Sequence, residues 1–309
     1  MKVLIIGVKG QLGTDLHRAL KDLDVIPLAH ADIEITDMSS VRESFEKHRP
    51  DVVINTAAFV RVDDCEMEKD KAFLVNALGA RNVAMAAQEL GARLVHISTD
   101  YVFGGEGEPH STPYTEFDIA VPVNTYGRSK LAGEEFVRSL CLRHFLVRSS
   151  ALFGVAGASG KGGNFVETML RLANEQDELR VVEDQIFSPT YTKDLARKIA
   201  QLINTEYYGI FHITNKGACS WYDFTQEILR LAKLKTPVVP IASDQYPQEA
   251  RRPHYSVLDN YHLRLLGMDD LRPWQEALED YMIIKGHIRQ QSSSTRPRSS
   301  SASETSRWL

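Results

Sequence analysis

The stretch KVLIIGVKGQLG, residues 2–13, decides the fold. Its opening KVLII reads as a short buried strand that runs straight into glycines at 7, 10 and 13, with a helix pattern following. A strand that turns on glycine into a helix is how a βαβ unit begins. The spacing also leaves bare backbone N–H groups at a helix N-terminus, where a pyrophosphate can accept their hydrogen bonds and feel the helix dipole. In such turns one glycine makes the tight bend, one lets the ligand approach, and one lets helix and strand pack closely. A plain βα turn needs glycines too, so the trio gains weight only from its place on the first strand.

Outward from this turn, apolar runs alternate with amphipathic segments. VIPLA (25–29), DVVIN (51–55), RLVHIS (93–98) and HFLVRS (144–149) read as buried strands. Residues 14–21, 40–48 and 69–90 read as helices, the second capped by Ser40 with Glu43. Near-continuous apolar strands alternating with helices predict an α/β fold, a Rossmann-type doubly wound parallel sheet. After 150 the pattern changes. ALFGVAGASGKGGNFVE reads as a loop leading into a helix from about 165, and SWYDFTQEILRLAKL as a helix capped by Ser220 with Asp223. Pro237, Pro240, Pro247 and Pro253 punctuate an irregular stretch. The expected division is a dinucleotide-binding domain over 1–150, with segments around 185–215 returning to it. A smaller C-terminal substrate-binding lobe covers most of 151–286, and 287–309 forms a disordered tail.

Composition narrows the classes. A net charge of −5 offers no electrostatic footprint for nucleic acid, and no apolar run reaches the length of a membrane span. The start enters a strand, not a signal peptide. Cys65, Cys141 and Cys219 are far apart without metal-type spacing, so reduced thiols in a cytoplasm are expected.

Chemistry concentrates at two places. STD (98–100) follows the fourth strand, at a carboxyl end of the sheet, where open α/β sheets bind ligands. NTYGRSKLAGE (124–134) sets Tyr126 and Lys130 one helical turn apart on one face. Carbonyl reduction needs a proton for the developing alkoxide and a donor aimed at that oxygen. Tyr126 suits the first role, with the Lys130 ammonium expected to lower the phenol's pKa, and Thr99 suits the second. Each residue alone also has a bland reading as loop polarity or a helix surface. The acid expected after the second strand to bind ribose is missing or displaced to Asp32 or Glu34, and no arginine stands there for a 2′-phosphate. NADH and NADPH both stay open.

The chain resembles the dTDP-4-dehydrorhamnose reductase family, extended short-chain dehydrogenases that act on nucleotide sugars. The resemblance runs from 1 to about 284. It is carried by GVKGQLG, RPDVVINTAAFVRVDDCE, VNALGARNVA, STDYVFGG, PVNTYGRSKLAGE, NFVETMLRLA, DQIFSPTYTKDLA, GIFHI and ARRPHYSVLD, in that order. It implies catalytic roles for Thr99, Tyr126 and Lys130. It implies cofactor contacts for Gly7, Gly10, Gln11, Leu12, Gly13, Glu34, Ile35, Ala57, Ala58 and Phe59, besides Tyr126 and Lys130. It implies sugar-nucleotide contacts for Thr99, Asp100, Tyr101 and Phe103. Asn164 is either a helix cap or a substrate contact as well, and Arg252 is expected on the diphosphate. The implied reaction is NADPH- or NADH-dependent reduction of a C4 ketone on a dTDP-6-deoxyhexose. The partner is a sugar nucleotide, a homodimer is open, and no metal is expected, because the acidic cluster with which some members hold one between subunits is missing. Two departures stand out: Ala151 where the family carries a substrate-facing tryptophan, and Phe187 where it carries glycine. The rival readings are a reductase or epimerase of another nucleotide sugar, and a non-catalytic subunit like the methionine adenosyltransferase β subunit.

Overall fold

A computed structural model describes residues 1–105, 111–157 and 163–289; of the disordered tail expected over 287–309, His287 and Ile288 instead bond back to the Met282 carbonyl, and 290–309 lie outside the described residues. Lys2–Ile6 (β1), Asp24–Leu28 (β2), Val52–Asn55 (β3), Arg93–Thr99 (β4) and His144–Ser149 (β5) form the successive long strands. Leu152–Phe153 (β6), Leu179–Val182 (β7), Ile186–Phe187 (β8) and Thr190–Tyr191 (β9) are shorter, and Gly209–His212 (β10) then joins β5. The central sheet has six strands in the order β10-β5-β4-β3-β1-β2, every pairing parallel. Because β1 lies between β2 and β3, the winding reverses at β1, and a crevice opens outside its carboxyl end.

The helices of this part are Gln11–Ala19 (α1), Met38–His48 (α2), Val62–Met67 (α3), Lys69–Phe73 (α4), Ala80–Leu90 (α5) and Thr125–Leu140 (α6), followed by Phe165–Glu175 (α7) and Thr192–Leu202 (α8). Alternation along the strands sorts side chains between two layers. Val3, Ile5, Val52, Ile54 and Val95 pack with Leu12 and Leu16 of α1 and Leu195 and Ile199 of α8. Leu4, Ile6, Val53 and Leu94 pack with Phe45 of α2, Val83 of α5 and Val137 of α6. Each such side chain, fully buried, contributes roughly 1.5–3 kcal/mol, which makes the two layers the main source of stability.

A separate apolar cluster forms in the second half. It joins Phe153, Phe187 and residues of α7 to Phe224 and Ile228 of Trp221–Ala232 (α9), and to Trp274 and Tyr281 of Trp274–Ile284 (α11; Tyr261–Leu265 is α10). Cys219–Ser220 (β11) leads into α9, where Ser220 and Asp223 make both bonds of the expected capping box.

Three expectations change. Asp37, not Ser40, caps α2, accepting from the Ser39 N–H, while Ser40 Oγ accepts from the Glu34 N–H. The helix expected over 69–90 breaks into α4, a π-helical turn at Leu74–Gly79, and α5. The proline-punctuated stretch contains Val238–Ile241 (β12), which pairs with β7 in a two-stranded ladder where Pro240 sits on an edge. Among the described residues no helix is long and apolar enough to cross a membrane.

Candidate active site

The glycine turn is dictated by contact as well as by a ligand's needs. Gly7 has φ +86, and a Cβ there would lie 2.5 Å from Thr56 Oγ1. A Cβ on Gly13 would lie 2.3 Å from the Gly7 carbonyl oxygen, so α1 packs against the turn only as glycine. Gly10 caps α1 with no side chain over its N-terminus. The first N–H groups of that helix have no acceptor within it.

Of the neighbouring candidates, Leu12 and Ile35 are core side chains, so only their backbone faces the crevice. Glu34 is part-exposed, its carboxylate accepting from the Thr36 N–H and hydroxyl. Asp32 accepts from the Ala29 N–H, and His30 is exposed. Gln11 Nε2 reaches the Leu152 carbonyl at 3.5 Å. Ala57, Ala58 and Phe59 leave β3 partly exposed, clamped from below by Asn76. That side chain accepts from the Phe59 N–H (2.8 Å) and donates to the Phe59 carbonyl (3.0 Å) and to Ser129 Oγ. Asn76 lies in the π turn, a wide turn often found at functional sites. Nothing in VNALGARNVA signals this contact, because Phe59 lies 17 positions away.

Tyr126 is the second residue of α6. Asn124 caps that helix, accepting from the Gly127 N–H, and donates to the Arg251 carbonyl. Glu66 of α3 accepts from both the N–H and the hydroxyl of Thr125, at 2.7 Å each. Gly127 permits contact with the neighbouring loop, since a Cβ there would lie 2.1 Å from the Tyr101 carbonyl oxygen. Thr99 bonds to the Tyr126 hydroxyl. Its hydroxyl also lies 3.1 Å from Asp100 Oδ1, an alternative acceptor for its proton. Thr99, Tyr126 and Lys130 therefore converge on one sheet edge.

Two electrostatic expectations are corrected. Lys130 Nζ donates to the Ile97 carbonyl at 2.7 Å, and burial lowers its pKa to about 8 against the opposing charge of Glu134. The Tyr126 phenol is raised above its ordinary value, not lowered. Burial does this first, the Thr99 hydrogen bond working against it and the Asp100 charge adding to it.

The substrate candidates divide. Tyr101 stays part-exposed, edge-on to Tyr126 with centroids 5.9 Å apart, and hydrogen-bonds Arg252. Asp100 is interior, accepting from Ser150 and Ser256 as well as Thr99, and burial raises its pKa to about 6. Phe103 is a correction: it has no exposed surface and stacks on Tyr114 at 4.2 Å, so it belongs to the core, not to a ligand wall. Asn164 caps α7, accepting from the Glu167 N–H, and both its amide hydrogens are used on Gly154 and Tyr281. Arg252, expected on a diphosphate, is already paired. It forks onto both oxygens of Asp63, at 2.6 and 2.7 Å, and holds that carboxyl down at about 2.

Arg252 stands in the wall of a cavity of about 700 Å³, with Asp184, Gln185, Glu249, Arg251 and His254. None of Gly7, Thr99, Tyr126 or Lys130 lines it. Ala151 adopts φ +42 and Phe187 is buried at 4.0 Å from the Trp221 ring, both within the second apolar cluster. Among the described residues no three His, Cys, Asp or Glu side chains gather as a metal would require.

A glycine turn at the switch point of a parallel sheet, with threonine, tyrosine and lysine at the same edge, defines the short-chain dehydrogenase/reductase class. Residues 1–285 match the family model described as RmlD substrate binding domain, and the chain belongs to that family. It is 44% identical over 283 residues to the spore coat polysaccharide biosynthesis protein SpsK of Bacillus subtilis, covering 91% of this chain and 96% of that one. A solved dTDP-4-dehydrorhamnose reductase of Clostridium acetobutylicum is 45% identical with a TM-score of 0.87, covering 92% of this chain and 99% of that one. A solved Bacillus anthracis dTDP-4-dehydrorhamnose reductase in complex with NADP is 43% identical with a TM-score of 0.86, over 92% and 99%.

Proposed function

We propose that the protein reduces the C4 ketone of dTDP-4-dehydrorhamnose to give dTDP-L-rhamnose, with NADPH or NADH, in nucleotide-sugar and cell-surface polysaccharide biosynthesis. One observation carries the reading: a phenol bonded to Thr99 and followed one turn on by Lys130, in a chain 43–45% identical to enzymes of that name. A dinucleotide suits the glycine turn, whose bare backbone and helix dipole take a pyrophosphate. When bound, it supplies the hydride.

Gly7, Gly10, Gln11 and Gly13, with the Leu12 and Ile35 backbone, would hold it, aided by Glu34, Ala57, Ala58 and Phe59; Lys130 would hold the nicotinamide ribose. Tyr126 would give its proton to the C4 oxygen as negative charge develops there. Burial suits it to this, because a raised pKa keeps the phenol protonated until negative charge develops. Thr99 turns its proton from Asp100 toward the same oxygen. Residues 1–150, with β10, serve the dinucleotide, and most of 151–286 serves the sugar nucleotide in the cavity at Arg252. There the exposed Arg251 is the better placed guanidinium for a diphosphate, since Arg252 is neutralised by Asp63. We place the reaction in the cytoplasm, where three buried free thiols stay reduced.

The test is to mix protein, dTDP-4-dehydrorhamnose and either NADPH or NADH and follow nicotinamide absorbance. Stoichiometric oxidation is expected, and it separates a reductase from an epimerase that returns its hydride. No oxidation with either cofactor sinks the substrate assignment. Ala151 and Phe187 favour, as second reading, a different 6-deoxyhexose, which product analysis would reveal.

A further inference from the structure

We propose that Glu134, with Arg148 as counter-ion, is a positioning residue that sets how Thr99, Tyr126 and Lys130 stand to one another; this rests on the reductase reading above. Three consecutive residues at the end of β4 are each tied to a different turn of α6. Lys130 Nζ donates to the Ile97 carbonyl at 2.7 Å, Ser98 Oγ donates to Glu134 Oε1 at 2.5 Å, and Thr99 bonds to Tyr126. The helix partners 126, 130 and 134 follow one another at four-residue steps, so they form one stripe.

Glu134 is fully buried, and its carboxylate accepts from two N–H groups of Arg148, the Nε–H shared between both oxygens. Arg148 stands on β5 directly across from Ser98 in the ladder. The carboxylate thus joins the helix to two adjacent strands at the level of the reacting groups. A buried ion pair seldom stabilises more than apolar residues of the same volume would. What it does impose is geometry, because neither partner can shift without stranding a charge. The groups facing Lys130 are His96 of β4, with Nε2 at 3.5 Å and kept neutral by burial, and Glu134 on its own helix. Removing the Glu134 charge therefore weakens the ammonium.

The test uses the full chain with Glu134→Gln and Ser98→Ala. For Glu134→Gln, kcat should fall about 10²-fold, as for an ångström-scale misplacement of reacting groups. KM should stay near wild type, and the basic limb of the kcat profile should move to lower pH. Ser98→Ala, which keeps the ion pair, should lower kcat less and leave Tm nearly unchanged. If Glu134→Gln fails to fold around an uncompensated Arg148, the double variant Glu134→Met/Arg148→Met removes both charges and should fold yet remain slow. Wild-type kcat with an unmoved basic limb, in either folded variant, overturns the proposal. A wild-type protein that oxidises neither NADPH nor NADH with the keto sugar would instead overturn the reductase reading. In that case an NMR titration of Lys130 decides separately: a downward shift in Glu134→Gln supports the proposal and an unmoved titration overturns it.

Discussion

The sheet edge that carries Tyr126 and the loop that walls the cavity are built by opposite rules. At the edge, Thr99, Tyr126 and Lys130 come from β4 and α6, two continuous elements whose periodicity fixes where each side chain points. The cavity wall joins Asp184 and Gln185 to residues 242–254 through loop contacts, the N–H and hydroxyl of Ser243 donating to the Asp184 carboxylate and the Ile186 N–H to the His254 carbonyl. Regular elements hold reacting groups rigidly, while an irregular wall can change its lining without disturbing them. On the reading proposed above, chemistry would belong to the first region and choice of sugar to the second.

The comparison breaks most visibly at the phenol. Tyr126→Phe should reduce kcat by about 10²–10⁴-fold, the usual worth of a positioned general acid, while cofactor affinity measured by nicotinamide fluorescence is retained. Near-wild-type turnover would detach the chemistry from the edge. Phe103→Ala comes next. A fully buried ring stacked on Tyr114 should cost about 3–5 kcal/mol in denaturant unfolding, where a ligand-facing ring would change KM with little loss of stability.

A smaller effect lies in pH. Lys130 is an ammonium below its pKa of about 8 and loses the proton above it, so kcat should fall as pH rises through that value. A rate flat well past it would show that the charge is not needed. The linked stability runs the other way. A lysine whose pKa is depressed on folding binds fewer protons folded than unfolded, so between about 8 and its ordinary value unfolding becomes less favourable as pH rises. The smallest expected change is at Ala151, just past the end of β5. Ala151 sits at φ +42, a conformation that suits glycine, so Ala151→Gly should raise stability by up to about 1 kcal/mol, read as a higher Tm.

Legibility followed the same divide. β1 and β5 fall where the apolar runs placed them, because a strand buried on both faces writes an unbroken signal in its own residues. Tyr126 and Lys130 were readable for the same reason: their relation is local. Phe103 was not, since STDYVFGG gives no sign that Tyr114, beyond a loop, will cover the ring. Arg252 was read as a phosphate ligand because its partner Asp63 lies 189 positions away. The Ser40 cap failed for a milder reason. Asp37 stood three residues earlier with an equally good side chain, and the Ser40 hydroxyl was taken by the Glu34 N–H.

The π turn at Leu74–Gly79 amounts to one residue more than an uninterrupted helix would hold. Deleting a single residue after Asn76 would restore a smooth α-helix, and helical content would rise. It would also rotate everything N-terminal to the deletion by about 100° against α5, carrying Asn76 away from the Phe59 backbone that it grips. Circular dichroism should then report an intact or improved helix while dinucleotide affinity drops. In this segment the better-formed helix makes the worse protein, so an engineer who regularises it would stabilise the element and disable the crevice.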